Sequence, residues 1–201
     1  MKALKSTCLS KLLFAVAALV LALTLAVPAE AAPTVQLFYG KTKVQLSEDF
    51  VEGLTALNLA PGVIKPAYLK LKWGQVRFPI SGGGIDLATA RGDVFHTGGL
   101  SLTNEGGTTV GLSNFIIDTT DAPVLTGLVT VDGDLVDRIP LFNLELTAPP
   151  EVKWARILKI RSVGVTLTEE AADALNGVFG ISAFYEGFPI GVATVCSWFR
   201  Y

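Results

Sequence analysis

The sequence predicts a mainly β chain: an antiparallel β-sandwich or barrel-like domain with two short helices. Three observations carry this. Apolar and polar residues alternate with period two over most of the chain after residue 31, as in "FNLEL" (142–146), where Phe142, Leu144 and Leu146 share a face. Turn signals rich in Gly, Asp and Pro recur about every eight to twelve residues. Only two stretches, "VQLSEDFVEGLTAL" (44–57) and "VTLTEEAADALNGV" (165–178), replace the alternation with a helix start.

The N-terminus reads as a targeting signal. Lys2, Lys5 and Lys11 precede an apolar run from Leu12 to Val27 that only Thr24 interrupts, and "PAEAAP" then places small residues at Ala29 and Ala31. Residues 1–31 are expected to be a signal peptide cleaved after Ala31, with retention as an anchor the alternative, because the run is long for a signal and short of the ~20 residues of a comfortable span. Cys8 precedes the run, so a lipid-modified cysteine at the cleavage site is not indicated. Residues 32–201 form the single expected domain, with no transmembrane span after cleavage. Of the 16 Lys+Arg and 18 Asp+Glu in the chain, three and one fall in the leader, which leaves 13 against 17 and a net charge of −4. That balance argues against nucleic acid as a partner. Cys196 is the sole cysteine after cleavage, so no intramolecular disulfide is expected; it reads as a small buried residue of the last strand. One histidine and one cysteine are too few for a thiolate–imidazole metal site.

Along the domain, a strand ending at Leu46 meets Ser47, an N-cap residue, and Glu48 and Asp49 suit the first turn of a helix that ends near Asn58. "YLKLKW" (68–73) predicts a half-buried strand with Leu69, Leu71 and Trp73 on one face. "VRFPI" puts Val76, Phe78 and Ile80 inward, with Pro79 marking an edge or a strand end. "SGGG" (81–84) predicts a sharp turn. "GDVFHTGGLSL" (92–102) is a glycine-rich strand on which His96, the only histidine, shares a face with Val94. "FIIDTTDAPVLTGLVTV" is two strands joined at Asp118–Pro123, and Asp132-Gly133 suits a two-residue hairpin. Lys153, Arg156, Lys159 and Arg161 cluster around Trp154. They read as the solvated face of a strand, the alternative being contact with an anionic envelope surface or a polysaccharide. A second helix follows the cap Thr168, with Glu169 and Glu170 in its first turn, and ends near Gly180. The terminal "ATVCSWFRY" is faintly like the last strand of an outer-membrane barrel, although Ser197 breaks its apolar face. The two strand–helix units share V-x-L-[ST]-E-[DE]-x-x-x-x-L, and each is followed by Phe-Pro-Ile (78–80 and 188–190). This is either an internal repeat or one capping chemistry used twice.

The chemistry inventory points away from catalysis. Gly111-Leu112-Ser113-Asn114-Phe115 lacks the second glycine of a nucleophile elbow and lies in a strand. "SGGGID" has no Gly-Lys-[Ser/Thr] behind it. Asp132 with Asp134 belongs to a hairpin, and Glu169 with Glu170 to a helix start. The chain is therefore read as a binding protein, not an enzyme.

"RGDVFHTGGLSLT" (91–103), "VGLSNFIID" (110–118), "VTLTEEAADALNGVF" (165–179) and "FYEG" (184–187), in that order, resemble the HtaA-type domain of secreted and cell-surface haem-uptake proteins. The resemblance implies a β-rich sandwich with a short helix and a haem site. It implies an iron-ligating tyrosine shortly after a Ser-Phe pair in the first strand–helix unit, helped by a histidine on the glycine-rich strand. In "SEDFVEGL" (47–54) the tyrosine position falls on Gly53, which leaves Tyr39 and Tyr185 as substitutes, Tyr185 being in the matching "FYEG". Tyr185 and His96 are thus the expected cofactor-binding residues, with His96 as a core residue the competing reading. The expectation is a secreted or envelope-exposed, non-catalytic protein that binds haem or another small hydrophobic ligand. The alternative is a structural or adhesive surface module that binds protein, polysaccharide or other envelope components.

Overall fold

The computed structural model describes residues 34–201, apart from Ala155 and the side chain of Leu71; the expected signal peptide lies outside the described residues. Twelve strands and two helices follow in the order β1 (Thr34–Leu46), α1 (Glu48–Ala56), β2 (Ala60–Ile64), β3 (Tyr68–Lys70), β4 (Gln75–Asp86), β5 (Gly92–His96), β6 (Gly99–Thr103), β7 (Thr109–Asp118), β8 (Val124–Val131), β9 (Asp134–Leu146), β10 (Glu151–Lys153), β11 (Ile157–Leu167), α2 (Glu169–Phe179) and β12 (Pro189–Arg200). Eight of the strands run antiparallel in the order β7-β5-β4-β1-β12-β11-β9-β8, and β8 pairs back onto β7. The sheet is therefore a closed barrel rather than a sandwich. β6 continues β5 and shares the same edge of β7: β5 takes residues 116–118 and β6 takes 109–113. β2 flanks β6, while β3 and β10 extend β4 and β11.

Period-two alternation fills the interior. Val76, Phe78 and Ile80 of β4, Leu144 of β9, and Val163, Val165 and Leu167 of β11 are all buried. Lys41, Lys43, Lys159 and Thr194 face outward from neighbouring strands. An apolar interior under a polar wall is the reverse of an outer-membrane barrel. No helix among the described residues is long and apolar enough to cross a membrane.

Where the alternation slips, the barrel bends. On β1 the register shifts between Leu37 and Tyr39, so Val35 and Leu37 before the bulge and Thr42 and Val44 after it all face inward. Phe38 and Tyr39 are both turned out. On β11, Arg161 and Ser162 do the same between Ile160 and Val163.

Three local expectations fail. "SGGG" is not a turn, because β4 runs straight through it. Gly83 (φ 132°) and Gly92 (φ 137°) face each other's strands so closely that a Cβ on either would fall on the carbonyl oxygen of Asp93 or Gly84, respectively. The glycines permit this close approach of β4 and β5. The turn comes later, at residues 87–91, where Asp86 Oδ1 accepts from the backbone N–H groups of Ala88 (2.8 Å) and Thr89 (2.7 Å). Pro79 sits inside a long strand; its carbonyl accepts from Thr97 N (3.1 Å), so its nitrogen points to the same side, just beyond the end of β5, and no bond to β1 is lost. "YLKLKW" splits into β3 and a 3-10 turn at Leu71–Trp73, which swings Trp73 outward (67 % exposed). Cys196, on β12 as expected, is a free, half-buried residue of the outer wall, between Lys41 and Lys159.

Gly92→Ala is expected to destabilise the barrel by about 3 kcal/mol or more, since it combines a backbone clash with a positive φ. Chemical denaturation of residues 32–201, which contain the complete barrel, measures this.

Candidate functional site

Both helices cover the same end of the barrel. β1 and β11 each pair antiparallel with β12, so they run parallel to one another and deliver α1 and α2 to one rim. The two junctions have the same construction. Ser47 Oγ accepts from Phe50 N (3.1 Å) and donates to Pro189 O (2.7 Å), while its N–H donates to Ile190 O (3.0 Å). Thr168 Oγ1 accepts from Ala171 N (3.2 Å) and donates to Pro140 O (2.8 Å), while its N–H donates to Leu141 O (3.1 Å). Each cap residue thus starts its helix and ties it to a proline-led segment of the next strand. The repeat is structural at these junctions, and the partner of Phe188-Pro189-Ile190 is Ile139-Pro140-Leu141, not Phe78-Pro79-Ile80. A signal for it lay in "IPL", which keeps proline followed by an aliphatic residue.

The cavity at this rim with room for a cofactor-sized ligand is a groove of about 630 Å³ along α1. Leu46, Leu54, Leu59 and Leu69 line it together with Val51 and Pro61; Trp73 and Gly74 form the facing wall, and Glu48 and Glu52 sit on the helix side. Gln45 fixes that wall, its Nε2 donating to Trp73 O (2.8 Å) and Gly74 O (3.1 Å). Sequence reasoning missed this groove because Trp73 was placed on an inward strand face. The signal was Gly74, whose φ of 53° ends the extended run.

The structure places the two predicted site residues elsewhere and does not bring them into one cavity. Tyr185 lies on the loop after α2, 59 % exposed. Asn176 holds that loop by donating from Nδ2 to Phe184 O (2.8 Å) and accepting from Phe184 N (3.1 Å). The Tyr185 ring packs edge-on against Phe188 (centroids 5.3 Å apart), and Phe188 lies 3.5 Å from where a Cβ on Gly53 would stand. Tyr185 is therefore one ring removed from the position that the resemblance assigns to an iron-ligating tyrosine. Tyr39, the other substitute, is on the outer wall beside Trp198, toward the far end of β1.

His96 is 5 % exposed and faces the barrel interior with Val94 and Phe115. Thr42 Oγ1 lies 2.7 Å from its Nε2, and Nδ1 is buried with no hydrogen-bond partner. The cavity it faces is about 60 Å³ and, apart from His96, Thr42 and Thr119, has an apolar lining. Pockets for cofactor-sized ligands run to roughly 300–1,000 Å³, so the interior does not admit one. Burial pushes the His96 pKa from 6.5 down to about 4, and the backbone of Phe115 and Val94 opposes this only in part. Among the described residues, no group of three or more His, Cys, Asp or Glu is placed to hold a metal ion.

No family model and no curated protein sequence matches the chain. Among solved structures, the C-terminal domain of HtaA from Corynebacterium glutamicum superposes with a TM-score of 0.64 at 16 % identity, over 83 % of this chain and 99 % of that one. The fold is that of an HtaA-type domain. The N-terminal domain of the same protein matches at a TM-score of 0.58 and 12 % identity, over 81 % and 98 % of the two chains. At such identities the similarity lies in the HtaA-type architecture and not in individual side chains.

The buried histidine makes stability pH-dependent. The unfolded chain takes up a proton near pH 6.5, but the folded ring resists it until about 4. The stability that His96 confers is therefore complete above pH 6.5 and is lost as the pH falls through that window, by about 3 kcal/mol in total. Denaturant midpoints measured from pH 7.5 to 4 are expected to show this fall in the native protein and not in His96→Gln.

Proposed function

We propose that this protein is a non-catalytic binding module acting outside the cytoplasm, and that the groove along α1 takes a flat hydrophobic ligand of the haem class. The carrying observation is the groove itself: it has cofactor size, an apolar floor of leucines and an exposed tryptophan wall, and it belongs to the first strand–helix unit, on the side of α1 away from Gly53. Trp73 offers a π-face for stacking, and Glu48 and Glu52 require the ligand's propionates to point away from the helix side.

The lining fits the macrocycle of a haem but not its usual iron ligation. It holds no Tyr, His, Cys or Met; its polar groups are Gln45, Ser47, Glu48, Glu52 and Thr55. Contact with the face of the ligand, not an axial bond from the groove, is the mode of binding proposed. Tyr185 lies beside Phe188 on the side of α1 away from the groove, where it does not reach an iron bound in the groove, and His96 supports β1 from behind through Thr42. The proposed leader at residues 1–31 supports export of the module to the envelope or the medium.

Titration of residues 32–201 with haemin and with metal-free protoporphyrin tests this. Both are expected to quench tryptophan emission with saturation near one equivalent and with similar affinity, and Trp73→Ala is expected to weaken both by about tenfold. Tyr185→Phe is expected to leave both affinities unchanged; a loss confined to haemin places the ligand on the Tyr185 side of α1 and overturns the groove as its site. Emission and absorption spectra that merely sum those of free porphyrin and protein overturn the proposal.

A further inference from the structure

We propose that the outer wall formed by β10, β11, β12 and β1 is a docking surface for an anionic phospholipid bilayer. The first observation is a row of side chains across the strands: Tyr39 pairs with Trp198, Trp198 with Ile157, and Ile157 with Lys153. Trp154, at the turn that follows, is 94 % exposed. Tyr201, 74 % exposed, follows β12 with Arg156 over its ring, 5.5 Å from the centroid. Tryptophan and tyrosine carry an apolar body with a polar tip, which suits the headgroup boundary of a bilayer.

The second observation is charge. These four strands and the β10–β11 turn hold seven of the 13 lysines and arginines in residues 32–201 and one of the 17 carboxylates. That carboxylate, Glu151, is already engaged by Lys153 (2.9 Å) and Arg161 (3.4 Å). The rest of the domain keeps six cations against sixteen carboxylates. A domain of net negative charge that gathers seven of its 13 cations on one wall together with Tyr39, Trp154, Trp198 and Tyr201 complements an anionic lipid surface.

The third observation is where the chain enters. Gln36 pairs with Arg200, so β1 begins at the aromatic end of this wall. The apolar run Leu12–Val27 ends only seven positions before Thr34. β1, the first strand after that run, is thus one of the four strands of the wall. The helix-capped rim with its groove lies at the opposite end of β1.

Vesicle flotation of residues 32–201 tests the proposal without any contribution from the leader. Vesicles of phosphatidylcholine with 30 % phosphatidylglycerol are expected to carry the protein at about 50 mM salt, whereas pure phosphatidylcholine vesicles are expected not to. Lys41→Glu combined with Lys159→Glu is expected to lower binding by at least about 25-fold, at roughly fivefold per cation removed. Trp154→Ala is expected to weaken it several-fold with an unchanged thermal midpoint. Should the double variant fold poorly, Trp73→Phe leaves only Trp154 and Trp198 as fluorophores, and brominated phosphatidylglycerol vesicles are expected to quench them. Absence of flotation with anionic vesicles, equal flotation with neutral ones, or unquenched emission overturns the proposal. Retention on an acidic polysaccharide such as heparin without vesicle binding overturns it in favour of a polysaccharide surface.

Discussion

Closure of the sheet through β7 and β8 is the constraint on which the rest depends. Pairs from Val110↔Val131 to Asp118↔Val124 join the two ends of the strand order. An open sheet would leave two long edges with unpaired N–H and C=O groups, and a closed one has none. Closure also determines which face is buried. Once the ring is shut, each strand has an inside and an outside, and one register slip would expose its whole apolar set. The bulges at Phe38-Tyr39 and Arg161-Ser162 exist because strands of this length must bend without losing their inward phase.

The barrel interior is packed to exclusion, which leaves the rim and the wall to carry the proposed ligand and lipid contacts. A cavity of about 60 Å³ beneath His96 is a packing remnant. Recognition therefore has to use what lies outside the ring: the helices, the strand extensions and the turns. α1, β2 and the β3 segment are the parts of the chain that leave the barrel between β1 and β4, and the groove forms among them. The two capping junctions hold the helices at that rim by hydrogen bonds between a cap hydroxyl and a proline-led strand, which orients each helix relative to the barrel as well as starting it.

The ends of β1 separate two kinds of surface. One end leads into α1 and the groove; the other lies beside the basic, aromatic wall. The resulting polarity gives the domain a side that suits a charged lipid surface and a side that suits a small hydrophobic ligand.

Much of this was written into the sequence. Alternation identified the inward residues of β4 and β9; Ser47 and Thr168 marked both helix starts; and Asp132-Gly133 marked the β8–β9 hairpin. These succeed because each depends on neighbours within a few residues: the pleat, the free N–H groups of a first helical turn, and a φ that glycine tolerates. The same local rules misread "SGGG" as a turn, since a glycine that permits two strands to approach looks the same in sequence as one that reverses the chain. They placed Trp73 inward because alternation cannot see that a strand has ended in a 3-10 turn. Barrel or sandwich, the separation of His96 from Tyr185, and the gathering of cations onto one wall were decided only in three dimensions. Each depends on which strand becomes whose neighbour, and pairing between residues as distant as Gln36 and Arg200 leaves no mark on either segment alone.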